Sequence, residues 1–195
     1  MIPLETDKHY HIFNRANGDE TIFLNEENYL FFLLKYKKYI SPICDTFCYC
    51  LMPNHFHFLL RIKDKKTIQL SKKHNNPEVT SAFLSKQFSN LFSSYTQAYN
   101  KQQGRKGSLF MRAFKRKEIN DENYLRKLVH YIHLNPVEAG FCLKPNEWKF
   151  SSFNALISDK PTKLIINEVI NYFDDLENFL FIHSQSSNLS EIESL

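Results

Sequence analysis

Residues 52–60 read MPNHFHFLL, and this stretch decides the fold. A β-rich run, Ile43–Leu51, comes just before the turn, and a second one, His55–Ile62, follows it. Pro53 and Asn54 between the two runs are typical turn residues, so the sequence predicts a β-hairpin. The second strand of this hairpin carries the first candidate functional residues.

His55 and His57 alternate with Phe56 and Phe58 along that strand. Alternate side chains of a strand leave the same face, so both imidazoles point one way and both phenyl rings point the other. Two neutral imidazole nitrogens on one face can bind a single divalent metal ion, while the phenyl rings anchor the strand in a core. The alternative is that the histidines are ordinary polar residues on a half-solvated face.

The remaining pattern predicts one α+β domain without internal repeats. Helical spacing of apolar residues, capping residues and the breakers Pro and Gly set the expected boundaries. The predicted elements are a strand at His9–Arg15, a turn at Asn17-Gly18, helices at Tyr29–Ile40, Thr80–Lys101 and Asp121–Leu134, a loop with a short helix at Asp64–Glu78, and a strand at Leu109–Ile119.

The last of these helices supplies the second group of candidates. Tyr131 and Asn135 are four residues apart, so they project from one edge of a helix in the same direction. A phenol and a carboxamide placed there could both meet a metal ion held by the two histidines. The alternative is a tyrosine packed at the margin of the core and an asparagine that caps the helix before Pro136. Spacing alone favours this second interpretation.

Composition limits the classes of protein that the chain can belong to. Its 195 residues include 18 Phe and 10 Tyr, enough for one sizeable core without a disulfide or a structural metal. No stretch approaches the roughly 20 apolar residues that span a bilayer, and Met1–His9 lacks the apolar run of a secretory signal. The four cysteines lack the paired spacing of a zinc site. We therefore expect reduced thiols in a cytoplasmic protein without a membrane partner.

The net charge of +4 is unevenly distributed along the chain. Residues 165–195 contain six acidic residues and no Lys or Arg, so residues 1–164 carry +10. Seven basic residues lie within residues 101–118, interleaved with aromatic rings: Lys101, Arg105, Lys106, Arg112, Lys115, Arg116 and Lys117. A phosphate-binding strip with base-stacking platforms has this composition. The pattern favours a nucleic-acid partner over an ordinary solvated surface.

Four segments together make the chain resemble the single-tyrosine HUH transposases, and most closely the REP-associated tyrosine transposases. They are Tyr10–Arg15, Met52–His57, Gly107–Lys115 and Tyr131–Gly140, with a further similarity at Trp148–Ser152. The His-hydrophobe-His element followed by Tyr-x-x-x-Asn-Pro is specific as a pair, and the similarity covers about residues 8–155. Replication initiators and relaxases share this chemistry, but the Asn-Pro-Val-x-Ala-Gly run favours the transposases.

The resemblance implies a ferredoxin-like α+β fold, with an antiparallel sheet of four or five strands and helices packed on one face. It also implies that His55, His57 and Asn135 bind Mg²⁺ or Mn²⁺ and that Tyr131 is the nucleophile. Attack on a DNA phosphate would leave a 5′-phosphotyrosine and a free 3′-OH, and a second 3′-OH could reverse the step and join strands. The expected activity is a metal-dependent single-strand DNA endonuclease and strand transferase.

The implied substrate is single-stranded DNA beside a palindromic hairpin. The residues expected to contact it are Asn14, Arg15, Arg105, Lys106, Arg112, Lys115 and Arg116. The protein is expected to act as a monomer or a homodimer. Two other functions stay open: a domesticated hairpin-DNA-binding protein that does not cleave, and a metal-dependent hydrolase that uses the His-x-His pair.

The chain is expected to divide into a transposase domain at residues 1–155 and an acidic C-terminal extension at residues 156–195. The extension is rich in Phe and Leu between residues 173 and 181, which predicts a helix that packs back on the domain. A frayed polar end is expected to follow. The charge imbalance suggests a further hypothesis, that this acidic tail shields a DNA-binding groove.

Overall fold

The computed structural model describes residues 2–71 and 78–185. The strands are β1 (His9–Arg15), β2 (Cys44–Met52), β3 (His55–Ile62) and β4 (Lys115–Ile119). The helices are α1 (Glu26–Tyr39), α2 (Lys65–Ser71), α3 (Ser81–Gln103), α4 (Glu122–Glu138), α5 (Phe153–Leu156), α6 (Ile166–Asn171) and α7 (Leu176–His183). Among the described residues, no helix combines the length and the apolar content needed to cross a bilayer.

The four strands form an antiparallel sheet in the order β2-β3-β1-β4. Helix α1 connects β1 to β2, a tight turn connects β2 to β3, and α3 lies between β3 and β4. This is the ferredoxin-like β-α-β-β-α-β arrangement, so the predicted α+β fold is confirmed. The predicted hairpin is present, with Met52 and His55 paired across its turn.

One face of the sheet packs against α1 and α3. Phe56 and Phe58 of β3 are buried there, against Phe32 and Tyr36 of α1. The ring centroids lie 5.4 Å apart for Phe32 and Phe56, and 4.7 Å apart for Tyr36 and Phe58. Each fully buried ring stabilises the fold by about 1.5–3 kcal/mol, so this layer holds β3 firmly. The two histidines of β3 must then point to the opposite face.

That opposite face is also covered, by α4 and the C-terminal helices. Cys50 of β2 and Leu59 of β3 belong to a second buried cluster that includes Leu128 and Ile132 of α4. The sequence predicts helices on one face only. This prediction accounts for α1 and α3 but not for α4 and the C-terminal helices. β2 and β3 carry apolar side chains on both faces, and the second helical layer is needed to remove the other set from water.

The strand predicted at Leu109–Ile119 is wrong in its first half. Only Lys115–Ile119 forms β4, while Phe110 makes an isolated bridge with Ala16. Ala113 has a φ of 57°, a left-handed conformation that interrupts an extended run. The segment before β4 is therefore an irregular connection that turns its aromatic side chains into the core.

The helix predicted to end at Leu134 continues to Glu138, through Pro136. Pro136 has no N–H and cannot make the usual helical hydrogen bond. The end is nevertheless closed, because Ala139 N–H donates to Asn135 O (3.0 Å) and Phe141 N–H donates to Pro136 O (2.9 Å). Asn135 thus lies inside α4, and the alternative in which it caps the helix does not hold.

The C-terminal extension contains two short helices, α6 and α7. α7 packs against α4, where His183 Nε2 lies 3.0 Å from His133 Nδ1. His133 Nε2 lies 2.8 Å from Ser152 Oγ, so this buried chain joins α4 to the segment that precedes α5. Two predicted features lie outside the described residues. They are residues 72–77 of the predicted loop and the predicted frayed end at residues 186–195.

Candidate active site

The histidine pair of β3 and the tyrosine of α4 meet on the second face of the sheet. The rings of His55 and His57 have centroids 5.2 Å apart. The Tyr131 ring stands almost perpendicular to that of His57, with centroids 5.3 Å apart. Leu128 and Ile132 hold α4 at this position because both are fully buried in the cluster beneath it. The structure therefore brings these candidate residues together within one chain.

Asn135 lies one helical turn after Tyr131 and faces the same site. Its Nδ2 donates to Tyr131 O at 3.2 Å, which orients its Oδ1 toward β3. The distance from Asn135 Oδ1 to His55 Nε2 is 3.2 Å. The other ring nitrogen of His55, Nδ1, lies 2.7 Å from Asn54 Oδ1. The imidazole of His55 is thus placed between two amide oxygens.

This environment of His55 fits a bound cation. Burial lowers the pKa of His55, although the nearby Asn135 oxygen raises it, so the neutral ring carries one N–H. If the shorter contact to Asn54 uses that N–H, Nε2 and Asn135 Oδ1 face each other as two acceptors. Neighbouring ligands of an octahedral Mg²⁺ lie about 3 Å apart. A metal ion would satisfy both atoms.

His57 presents a second unused nitrogen. The residue is fully buried, and its Nδ1 lies 2.9 Å from Nε2 of His11 in β1. Its Nε2 has no hydrogen-bond partner among the described residues. A buried nitrogen without a partner destabilises the fold, whereas a free lone pair at this position is what a metal ligand requires.

Sequence reasoning missed His11 as part of this site. The available signal was the alternation of His9 and His11 in β1, which repeats the His-x-His spacing of β3. Because β1 pairs antiparallel with β3 and His11 lies opposite Leu59, the diagonal neighbour of His11 is His57. The register that creates this contact cannot be read from the spacing within either strand.

Burial governs the protonation of the site. It lowers the pKa of His57 well below its usual value, and the neighbouring His11 adds to this effect. It lowers the pKa of His11 to about 3, with a contribution from the positive charge of Lys117. Burial also raises the pKa of Tyr131, although Asn135 opposes the rise. The imidazoles are therefore neutral at pH 7, the form that binds metals, and the phenol keeps its proton.

The donor set of the site consists of two imidazoles and one amide oxygen. Within residues 2–71 and 78–185, no three His, Cys, Asp or Glu side chains form a metal cluster. A neutral set of three donors leaves coordination positions open for water or phosphate oxygens. The residues present fit a weakly held divalent ion in an open site better than a closed structural site.

Four of the predicted DNA-contacting residues are exposed: Arg15, Lys106, Arg112 and Lys115. Arg15 is the residue of β1 that pairs with His55 of β3, so its side chain is next to the candidate site. Its positive charge also contributes to the lowered pKa of His55. These four side chains are accessible to a phosphate group.

The other three predicted DNA contacts are engaged within the protein. Asn14 is buried, and its amide bonds the backbone of the segment before β4. Arg105 forms an ion pair with Glu20 at 2.6 Å. Arg116 points away from the histidine face and donates to Ser85 Oγ at 2.8 Å. In this structure the three side chains connect elements of the fold.

Comparisons with known proteins place this geometry in a wider context. No protein-family model matches the sequence, and no curated protein matches it. The fold is similar to that of a REP-associated tyrosine transposase solved in complex with a REP hairpin, with a TM-score of 0.60. The similarity covers 83% of this chain and 87% of the other, at 13% sequence identity. The two proteins share a fold.

Proposed function

We propose that this protein cleaves and rejoins single-stranded DNA beside a hairpin, with Tyr131 as the nucleophile. Residues His55, His57 and Asn135 would hold a divalent ion, Mg²⁺ or Mn²⁺. The observation that carries the proposal is the packing of the Tyr131 ring on His57, whose Nε2 has no partner among the described residues. The fold shared with a hairpin-bound transposase supports the substrate class.

The chemistry is an exchange of one phosphodiester for another. Tyr131 Oη forms a bond to the scissile phosphorus as the bond from phosphorus to the 3′ oxygen breaks. The phenol loses its proton and the leaving 3′ oxygen gains one, giving a 5′-phosphotyrosine and a free 3′-OH. Attack by a second 3′-OH reverses these changes and joins two strands without ATP. A divalent ion, when bound, neutralises charge on the phosphate oxygens.

The protein side chains prepare the nucleophile for this step. Contact with His57 holds the Tyr131 ring in one orientation. The Tyr131 hydroxyl is therefore already positioned for attack. Burial keeps the resting phenol neutral, and the Asn135 side chain lowers the Tyr131 pKa against that effect. The phenol is therefore positioned before substrate arrives and becomes reactive once positive charge is brought near it.

A covalent-adduct experiment tests the proposal. Labelled hairpin DNA with single-stranded flanks is incubated with protein and Mg²⁺, and the products are separated under denaturing conditions. Wild-type protein should form a denaturation-resistant adduct, and Tyr131→Phe and His57→Ala should not. The matched control is Tyr172→Phe, because Tyr172 is a half-buried tyrosine that lies against Phe47 in the C-terminal layer, away from the histidines.

Each of the other outcomes has a distinct meaning. An adduct in Tyr131→Phe would refute the nucleophile assignment. Hairpin binding by the wild type with no adduct would indicate the non-cleaving DNA-binding protein. DNA cleavage that survives Tyr131→Phe and needs His57 would indicate the metal-dependent hydrolase.

A further inference from the structure

Helix α4 covers only part of the second face of the sheet. Near its start, Tyr124 contacts Lys117 of β4, with 3.1 Å from Lys117 Nζ to the tyrosine hydroxyl. Later in the helix, Tyr131 lies over β3. Beside the helix, Phe13 of β1 is half-buried and Lys115 of β4 is exposed. An open groove of about 550 Å³ runs along β1 and β4, lined by Phe13, Lys115, Lys117 and Tyr124 but not by Tyr131.

The groove is continuous with the candidate active site. His11 lines it and is hydrogen-bonded to His57 at 2.9 Å. The ring of Phe13 is nearly parallel to that of His57, with centroids 5.9 Å apart. A molecule lying along the groove therefore reaches the catalytic face without crossing α4.

The lining combines aromatic rings with positive charge. Lys115 Nζ lies 5.8 Å from the centre of the Phe13 ring, and Lys117 Nζ lies 4.7 Å from that of Tyr124. Among the described residues, neither lysine has a carboxylate within ion-pair distance, whereas Glu118 of the same lining is paired with a lysine elsewhere. Both ammonium groups are thus available to an anion.

The spacing of the two lysines suits a DNA strand. Residues two apart in a strand are separated by about 6.6 Å and project from the same face. Consecutive phosphates of an extended DNA strand have a similar separation. An unpaired base also offers a free face for stacking on an aromatic ring, which a base inside a duplex does not.

We propose that this groove holds the single-stranded DNA segment that leads to the cleavage site. One base stacks on Phe13, and two consecutive phosphates bind Lys115 and Lys117. The inference rests on the proposed function, since it assigns a path to that same substrate. It also places DNA contacts at Phe13 and Lys117 while leaving Arg105 and Arg116 to their internal partners.

The charge contribution is tested by binding without cleavage. Anisotropy of a fluorescent oligothymidylate of about ten nucleotides is followed in EDTA over a range of salt concentrations. The double variant Lys115→Gln/Lys117→Gln should weaken binding about tenfold and flatten the log–log salt slope by about 1.4, for two phosphate contacts. The matched control is Lys35→Gln/Lys38→Gln, which removes the same charge from two α1 lysines that also lie over aromatic rings. It should change binding less than about twofold.

The stacking contribution is tested at Phe13. Phe13→Leu keeps an apolar side chain but removes the aromatic face, and it should weaken binding about tenfold with an unchanged salt slope. Phe13→Tyr keeps the ring and should bind like the wild type. A duplex of the same length should compete poorly with the single strand. Equal weakening by Phe13→Tyr would show that the ring face is not used.

The failures of the two proposals can be told apart. If the groove variants bind like the wild type, or if both lysine pairs weaken binding equally, the path is wrong even when the phosphotyrosine adduct forms. If the groove variants behave as expected but no adduct forms, the path stands and the strand-transfer chemistry falls. A wild-type protein that does not bind the oligothymidylate overturns the path.

Discussion

His11 Nε2 lies 2.9 Å from His57 Nδ1, and this hydrogen bond joins the two central strands inside the candidate active site. When His57 Nδ1 donates its proton to His11, the lone pair of His57 Nε2 is left for a metal ion. The low pKa of His11, caused mainly by burial, keeps that ring neutral and able to accept. In this tautomer the bond also fixes the orientation of His57.

The first prediction concerns this bond. His11→Phe keeps an aromatic ring but removes the acceptor, and it should raise the Mn²⁺ concentration for half-maximal adduct formation about 10- to 100-fold. Binding of Mn²⁺ to the DNA-free protein, followed by electron paramagnetic resonance, should weaken in parallel. The control is His9→Phe, because His9 lies on the same strand and packs on Phe47 instead. An unchanged Mn²⁺ requirement in His11→Phe would contradict the positioning role.

The second prediction concerns the amide ligand. Asn135→Asp replaces a neutral oxygen donor with a charged one, so it should lower the Mn²⁺ concentration needed for adduct formation about tenfold. Asn135→Leu should abolish the adduct while the protein stays folded by circular dichroism. The Mn²⁺ titration described above measures both. A higher metal requirement in Asn135→Asp would argue against Asn135 as a ligand.

The third prediction concerns the number of chains in one site. Tyr131 contacts His57 of its own chain, so each chain carries a complete candidate site. Co-expressed Tyr131→Phe and His57→Ala proteins should therefore form no more adduct than either variant alone. Recovery of adduct in the mixture would show that subunits exchange the tyrosine helix.

The fourth prediction concerns stability in acid. Burial lowers the pKa of His183 to about 3 and that of His133 well below its usual value, so folding favours their neutral forms. A group with a depressed basic pKa stabilises the fold fully above its unfolded pKa of about 6.5 and loses that contribution as pH falls toward 3. For His183 the loss should reach roughly 3 kcal/mol of unfolding free energy by pH 4.

Urea unfolding from about pH 7.5 to about pH 4 measures this effect. His183→Gln can still accept a hydrogen bond from His133 but does not titrate in this range. Its unfolding free energy should therefore fall less steeply as the pH falls, because about one proton fewer is taken up on unfolding. Identical slopes for the variant and the wild type would contradict the assignment.

The sequence was sufficient to predict the central features of the fold. The alternation of His and Phe in β3 fixed which side chains face the helices, and the four-residue spacing of Tyr131 and Asn135 placed both on one edge of α4. Such local periodicities predict the structure well because they decide which side chains are buried. The hairpin and β1 accordingly have the predicted positions.

Features that depend on contacts between distant segments were not predictable. The His11–His57 bond depends on strand register, and the engagement of Arg116 by Ser85 depends on where α3 crosses the sheet. The predicted end of α4 was too early for a different reason. The proline near the last turn removes one hydrogen bond, but the helix continues through it.

His133 lies two residues from Tyr131 in α4 and is held by His183 at the end of α7. A fragment that ends at residue 155 would keep every strand and the tyrosine but would leave this imidazole facing water instead of its partner. The helix that carries the phenol would then lose one of the contacts that fix its position. A fragment that keeps the contact between His133 and His183 must therefore reach at least residue 183.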